Sequence, residues 1–230
     1  MSVICNLWLH LYQSLKFKSN PINRSVINRF LVVMHITLLL ISCKNDSQNN
    51  EKKIIRFNSP TGITSLDPAF ARTQENIRAV NQLFNGLLQL DDNLNIIPAI
   101  AKNYTISSDA KTYTFVIKKG ILFHNDPVFK SEQREVIAQD FVYSFNRIIN
   151  PNTASDGAWI FNEIIDQQEP FYAPNDSTFE IHLKKPFTPL LSMLTMAYCY
   201  VVPMEAVEYY GKGFGKKPIG TGPFQFANWA

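Results

Sequence analysis

The chain is poor in cysteine, and this excludes the kinds of site that cysteine builds. Its 230 residues include 3 cysteines, at Cys5, Cys43 and Cys199. If Cys43 carries a lipid and Cys5 is cut away with a leader, Cys199 stands alone, so neither a disulfide framework nor a cysteine metal site can form. Cys199 lies within the apolar run Tyr198–Val202, which predicts a buried and unreactive thiol.

Long apolar runs are also lacking. The N-terminal run Phe30–Ile41 contains His35 and falls short of the ~20 apolar residues that a transmembrane helix needs. Basic residues before it and small residues after it are typical of a secretory leader. The tetrad Leu40-Ile41-Ser42-Cys43 resembles the lipobox of bacterial lipoproteins, which implies lipidation of Cys43. We predict a signal peptide over residues 1–42 and a lipidated, polar tether over 43–52, with a transmembrane helix as the alternative.

The chain has no strong excess of either charge. It holds 22 basic and 19 acidic residues, and four of the basic ones precede Cys43. The part that follows Cys43 is therefore close to neutral, and it offers no basic stripe for nucleic acid. We therefore predict that the protein does not bind nucleic acid.

Catalytic and metal-binding signatures are missing as well. No Gly-x-Ser-x-Gly motif occurs, and Gly211–Gly215 is not followed by the Lys-Ser/Thr of a phosphate-binding loop. His124 with Asp126 offers too few ligands for a metal, so a structural role is predicted for both. His182 lies on the polar face of a predicted strand. The sequence thus predicts no enzyme, no cofactor and no metal.

The periodicity of the remaining sequence mixes strands and helices. Strict alternation predicts strands over Thr112–Lys118 and Thr178–Lys184, and helical spacing predicts helices from Thr73 to about Asn85 and over Asp140–Ile149. A short strand is predicted at Ile54–Phe57 and a flexible loop over Gly211–Gly215. Because strands and helices do not alternate strictly, the fold class is α+β or mixed α/β.

The end of the sequence resembles the start of a strand. Phe224-Gln225-Phe226 follows the turn Gly220-Thr221-Gly222-Pro223, and the chain reaches Ala230 before a partner strand occurs. We expect the chain to be the N-terminal portion of a longer protein.

A series of motifs then points to a family. They occur in the order Ser65-Leu66-Asp67-Pro68, Leu83–Leu88, Pro98–Ala101, Tyr113–Gly120, Phe123-His124, Asp140–Phe145, Asn150–Ser155 and Gly220–Phe224. In order and spacing they resemble the family 5 extracellular solute-binding proteins, the peptide-binding components of ABC importers. The resemblance covers Ile54 to Trp229. The chain departs from the family pattern at His124-Asn125-Asp126-Pro127, over Val128–Val136 and at the helix start Ile137–Asp140.

The resemblance implies a two-lobed receptor, similar to type II periplasmic binding proteins, that closes on an extended peptide. Lobe I would comprise residues 53–88 and 184–230, with a small inserted domain over residues 89–183. Lobe II would lie beyond the chain, together with the acidic residue that pairs with the peptide's amino group in peptide-binding members.

The predicted ligand-binding residues are Ala71, Arg72, Thr73, Gln74 and Trp159. The resemblance implies that the backbone after Leu66-Asp67-Pro68 runs beside the peptide, and the predicted helix N-terminus there favours an anionic group. A solvated Arg72 is the alternative. Trp159 and Phe161 would line the cleft or belong to the core.

The predicted function is capture of extended oligopeptides by an exported, lipid-anchored protein and their delivery to an ABC permease in the membrane. Two alternatives stay open: a secreted lipoprotein enzyme such as a hydrolase, and a binding protein of the same fold for nickel or a sugar.

Overall fold

The computed structural model describes residues 29, 33, 54–59, 61–131 and 133–229. The predicted lipobox and its Cys43, the tether and most of the apolar run before them lie outside the described residues. No helix among the described residues is both long and apolar enough to cross a bilayer. Residues from Phe57 onward form one compact unit, and all the elements named below belong to it.

A four-stranded antiparallel sheet forms the centre of this unit. Its strands are β3 (Ala101–Ile106), β4 (Thr112–Ile117), β5 (Phe171–Asn175) and β6 (Thr178–His182), in the spatial order β3-β4-β6-β5. In β4 the alternating residues Tyr113, Phe115 and Ile117 are buried, as the sequence pattern predicts. A two-stranded hairpin of β1 (Leu88–Leu90) and β2 (Ile96–Pro98) precedes the sheet.

Helix α2 (Ala138–Ile149) packs against this sheet through aromatic side chains. The Phe145 ring lies 5.3 Å from the rings of both Phe171 and Phe179 and 5.2 Å from that of Phe161. All four rings are buried, and such edge-to-face and offset pairs stabilise a core beyond the area they bury. The helix starts two residues before the predicted Asp140, whose carboxylate accepts a hydrogen bond from the backbone N–H of Ile137 at 2.9 Å.

The remaining helices are short apart from α1. Helix α1 is Gln74–Leu83, α3 is Trp159–Asn162, α4 is Leu190–Met193 and α5 is Met204–Tyr210, with 3₁₀ turns at Pro68–Phe70, Ala197–Cys199 and Gly211–Lys216. Thr73 caps α1, as predicted, although the helix ends at Leu83 and not near Asn85. Cys199 is fully buried, and burial raises the pKa of its thiol, so the predicted unreactive cysteine is confirmed.

Three local predictions are wrong. Ile54–Phe57 forms no strand, and Ile54, Ile55 and Phe57 are exposed, because a strand needs a partner and the described residues pair none with this segment. Gly211–Lys216 is a 3₁₀ helix and not an open loop. Phe224–Phe226 is not a strand.

The segment after Gly220 is instead held by backbone bonds to the end of α1. The N–H of Gly222 donates to the carbonyl of Leu83 at 2.9 Å, and that of Phe224 to the carbonyl of Gln82 at 3.1 Å. The backbone N–H of His124 donates to the carbonyl of Gly220 at 2.8 Å. Three distant parts of the sequence therefore meet at this junction.

Candidate functional site

The predicted ligand segment Ala71–Gln74 lies at the surface, between a 3₁₀ turn and helix α1. Ala71 is fully buried, whereas Arg72, Thr73 and Gln74 are exposed. The Thr73 hydroxyl accepts a hydrogen bond from the N–H of Asn76 at 3.3 Å, which occupies one of the free amides of the first turn. The segment thus presents a fixed backbone with three accessible side chains.

Arg72 faces a carboxylate from a distant loop. Its Nη1 lies 3.7 Å from Oδ1 of Asp156, and the two side chains are 74% and 40% exposed. An exposed pair of this kind contributes at most about 1 kcal/mol. A charged group of a ligand can therefore replace either partner at little cost.

Trp159, three residues after Asp156, differs from Phe161 in its exposure to solvent. Trp159 is 52% exposed, whereas Phe161 is fully buried and contacts Phe145 and Phe171. The alternative that both aromatic residues belong to the core therefore applies to Phe161 alone. An exposed indole offers an apolar face together with an N–H donor, and such side chains are enriched at interfaces.

The loop that carries Asp156 is pressed against Tyr198. A Cβ atom on Gly157 would lie 2.6 Å from the Tyr198 ring, so the loop reaches this position only with glycine. Burial raises the pKa of Tyr198, the Asp156 carboxylate raises it further, and Arg72 opposes both. The charges of both members of the exposed pair therefore act on the Tyr198 hydroxyl.

We call the exposed residues Arg72, Thr73, Gln74, Asp156 and Trp159 the ligand-facing patch, after the role proposed for them below. Asp156, together with the supporting Gly157 and Tyr198, was missed from the sequence. Gly157, two residues after the Asn150–Ser155 motif, was the one available signal, because a glycine can mark a close approach of two chain segments. The patch combines a cation, an anion and an aromatic face, which suits binding and not bond chemistry.

The two histidines of the compact unit contact backbone carbonyl and carboxylate oxygens. The Nε2 atom of His124 lies 2.8 Å from the carbonyl oxygen of Gly222. His182 lies within hydrogen-bond distance of the carbonyl oxygen of Glu169 and of the carboxylate of Glu180. In the part of the chain that the structure describes, no group of three or more His, Cys, Asp or Glu side chains could hold a metal ion.

A cavity of about 230 Å³ lies next to His124, away from the ligand-facing patch. The Tyr210 hydroxyl donates to Asp126 at 2.9 Å. Burial and this hydrogen bond raise the pKa of Tyr210 to about 12. The other lining residues are His124, Asn125, Lys217, Pro218, Ile219, Gln225, Phe226 and Ala227. The side-chain amide of Gln225 donates to the carbonyl of Asn125 at 3.3 Å, whereas the buried Nδ1 atom of His124 has no hydrogen-bond partner among the described residues. The cavity lies where separate segments of the chain meet.

Comparison with known families gives the class of this protein, a solute-binding protein. The model of the bacterial extracellular solute-binding proteins, family 5, matches residues 95–230, more than half of the chain. The chain belongs to this family. Its resemblance to the family, predicted from the motifs, is confirmed.

Relatives and solved structures agree with this assignment. The dipeptide-binding protein of Lactococcus lactis subsp. cremoris is 29% identical over 82% of this chain and 35% of its own length. The periplasmic binding protein DppA from Helicobacter pylori, in complex with the peptide STSA, is 29% identical, with a TM-score of 0.64 over 73% of this chain and 35% of that one. NikZ from Campylobacter jejuni, in complex with Ni(L-His), is 26% identical, with a TM-score of 0.62 over 74% and 32%.

These comparisons confirm the predicted fold class, mixed α/β of the type II periplasmic binding protein kind. The chain spans about a third of the length of the relatives it matches. Its relatives are solute-binding proteins and not enzymes, which fits the predicted absence of catalysis.

Proposed function

We propose that this protein captures extended peptides for an ABC importer and delivers them to a membrane permease. The observation that supports this most directly is the ligand-facing patch, in which a fixed backbone segment lies beside a weak, exposed ion pair. The dipeptide-binding relative and the peptide-bound DppA structure support the same ligand class.

The chemistry of the patch fits a peptide backbone. A peptide offers amide groups along its length and one charge at each terminus. Arg72 and Asp156, which lie 3.7 Å apart, are too close to take both termini of an extended peptide, so one of them would take one terminus in place of its present partner. Main-chain recognition is insensitive to side chains and suits a receptor for many sequences. The indole of Trp159 adds an apolar surface for a ligand side chain. Arg72, Thr73, Gln74 and Trp159 remain proposed ligand-binding residues, and Asp156 joins them. Ala71 is fully buried, so its proposed part is to hold the segment in place.

The division of the chain into domains is part of the proposal. Strands β3–β6 and helices α2 and α3 all fall within residues 89–183, the proposed inserted domain. Residues 53–88 and 184–230 would form lobe I, and the antiparallel bridge between Gly86 and Tyr200 joins these two parts. Export through a leader over residues 1–42 and lipid anchoring at Cys43 would hold the receptor beside its permease.

The proposal is tested by peptide titration followed by NMR. The probe is trialanine, added to the isotopically labelled chain up to about 10 mM, above the roughly millimolar dissociation constant that one side of a cleft would give. The indole N–H of Trp159, assigned with Trp159→Phe, and the amides of Ala71–Gln74 should shift saturably. Arg72→Ala should abolish the response, while Arg78→Ala, which removes an exposed arginine of helix α1, should leave it unchanged.

Other ligands give distinct outcomes. Trialanine blocked at both termini should shift the same resonances less, because it has no charged terminus that could replace Arg72 or Asp156 in their ion pair. A response to a nickel–histidine complex or to glucose, with none to trialanine, would show that the ligand is of that class and not a peptide. Release of alanine from trialanine during the titration would support the hydrolase. Absence of any response at the patch would overturn the assignment of these residues.

A further inference from the structure

The backbone of the ligand segment is held in place by side chains that are largely buried. The side chain of Asp67 accepts a hydrogen bond from the N–H of Ala69 at 3.0 Å, which opens the 3₁₀ turn Pro68–Phe70. The N–H of Arg72 then donates to the carbonyl of Phe70 at 2.8 Å. The direction in which Arg72 leaves this turn therefore depends on the orientation of the Asp67 carboxylate.

That carboxylate is fixed by an arginine from helix α2. Arg147 donates through Nη1 to Oδ1 of Asp67 at 2.9 Å and through Nη2 to Oδ2. The two side chains are only 13% and 4% exposed. A two-point arginine–carboxylate bond fixes both distance and plane, and lysine cannot reproduce it.

A second contact comes from the loop that follows α2. The hydroxyl of Ser155 donates to the carbonyl of Ala69 at 2.7 Å and accepts from the N–H of Gly157 at 3.1 Å. Ser155 is buried. One hydroxyl therefore links the turn before Arg72 to the loop that carries Asp156, the partner of Arg72 at the surface.

We propose that Arg147 and Ser155 are positioning residues for the ligand-facing patch: they set the backbone of residues 69–74 and its register against Asp156 without touching the ligand. The part of this inference that concerns ligand binding rests on the proposed function. The proposed inserted domain would then shape the ligand segment of lobe I directly.

The test compares Arg147→Lys with Arg134→Lys. Arg134 is a matched control because it also binds a buried carboxylate of α2, Asp140, at 2.6 Å and 3.1 Å, and it contacts Glu205 away from the ligand segment. Both substitutions should lower thermal stability. Only Arg147→Lys should shift the amide resonances of Ala69–Gln74 and increase their hydrogen exchange, and it should weaken the trialanine response by about tenfold, the equivalent of ~1.4 kcal/mol.

Ser155→Ala provides a second variant that keeps the ion pair. It should loosen the same amides and leave those of α2 unchanged. If trialanine fails to bind the unaltered chain, the proposed function fails, and the exchange rates of residues 69–74 still decide the positioning role. Equal effects of Arg147→Lys and Arg134→Lys on these amides, or no effect of Ser155→Ala, would overturn the inference.

Discussion

Gly220→Ala should be among the most damaging single-methyl additions in the compact unit. An added Cβ would lie 1.9 Å from the carbonyl oxygen of Leu83 and 2.8 Å from its carbonyl carbon. Real Cβ contacts essentially never fall below 3.0 Å, so the two backbones must separate by about 1.1 Å. No rotamer change relieves the clash, because the obstructing atoms belong to the main chain.

The free-energy cost follows from what that separation breaks. The carbonyl of Leu83 accepts the N–H of Gly222, and the carbonyl of Gly220 accepts the N–H of His124. Losing two backbone hydrogen bonds costs about 1–3 kcal/mol, and forced overpacking adds about 1–3 kcal/mol. We expect a loss of roughly 2–6 kcal/mol in the free energy of unfolding.

The assay is urea denaturation followed by far-ultraviolet circular dichroism. Gly213→Ala is the matched control, because a Cβ there meets nothing within 4 Å and its φ is not positive. It should change stability by less than about 1 kcal/mol, in the stabilising direction. A Gly220→Ala chain that unfolds within about 0.5 kcal/mol of the unaltered one would refute the close packing of this segment against α1.

Three further predictions concern the anchor, the core and pH. Cys43→Ser should abolish incorporation of radiolabelled palmitate in a bacterial host, and equal labelling of both chains would contradict the anchor. Phe145→Ala should cost about 3–5 kcal/mol of unfolding free energy, because its ring is fully buried, while Phe224→Ala, at a ring 53% exposed, should cost less than about 0.5 kcal/mol. Because the pKa of Tyr210 rises from 10.0 to about 12 in the folded chain, the folded state keeps this proton longer than the unfolded state and stability should fall as pH rises between these values. The urea midpoint of Tyr210→Phe should therefore fall less over this pH range than that of the unaltered chain. An identical fall in both chains would contradict the role of Tyr210.

The sequence predicted the central strands and missed the edge strands, for a physical reason. Central strands β4 and β6 show strict alternation because each has one face on the core. Edge strands β3 and β5 do not, and they carry Lys102, Asn103 and Pro174, residues that edge positions tolerate. Ile54–Phe57 shows the opposite error, because apolar residues alone do not supply a partner strand.

The site shows a similar division. Arg72 and Thr73 were predicted because they follow a recognisable motif and begin a helix, both of which are local features. Asp156 and Arg147 were not, because their roles come from contacts with Arg72 and Asp67 about eighty residues away in sequence. No local pattern encodes such a pairing.

The two ion pairs that join these segments differ in a way that suits a receptor. Removing one partner of a buried pair such as Arg147–Asp67 costs about 3–5 kcal/mol, so this contact holds the turn in one geometry. The exposed Arg72–Asp156 pair above it, with side chains 74% and 40% exposed, contributes at most about 1 kcal/mol and exchanges readily with solvent or ligand. If the proposed site binds peptide, a fixed turn with labile charges would let the peptide replace the surface pair without loosening the fold beneath it. In that site, burial of the surface pair would weaken binding, and loss of the buried pair would disturb the geometry that binding requires.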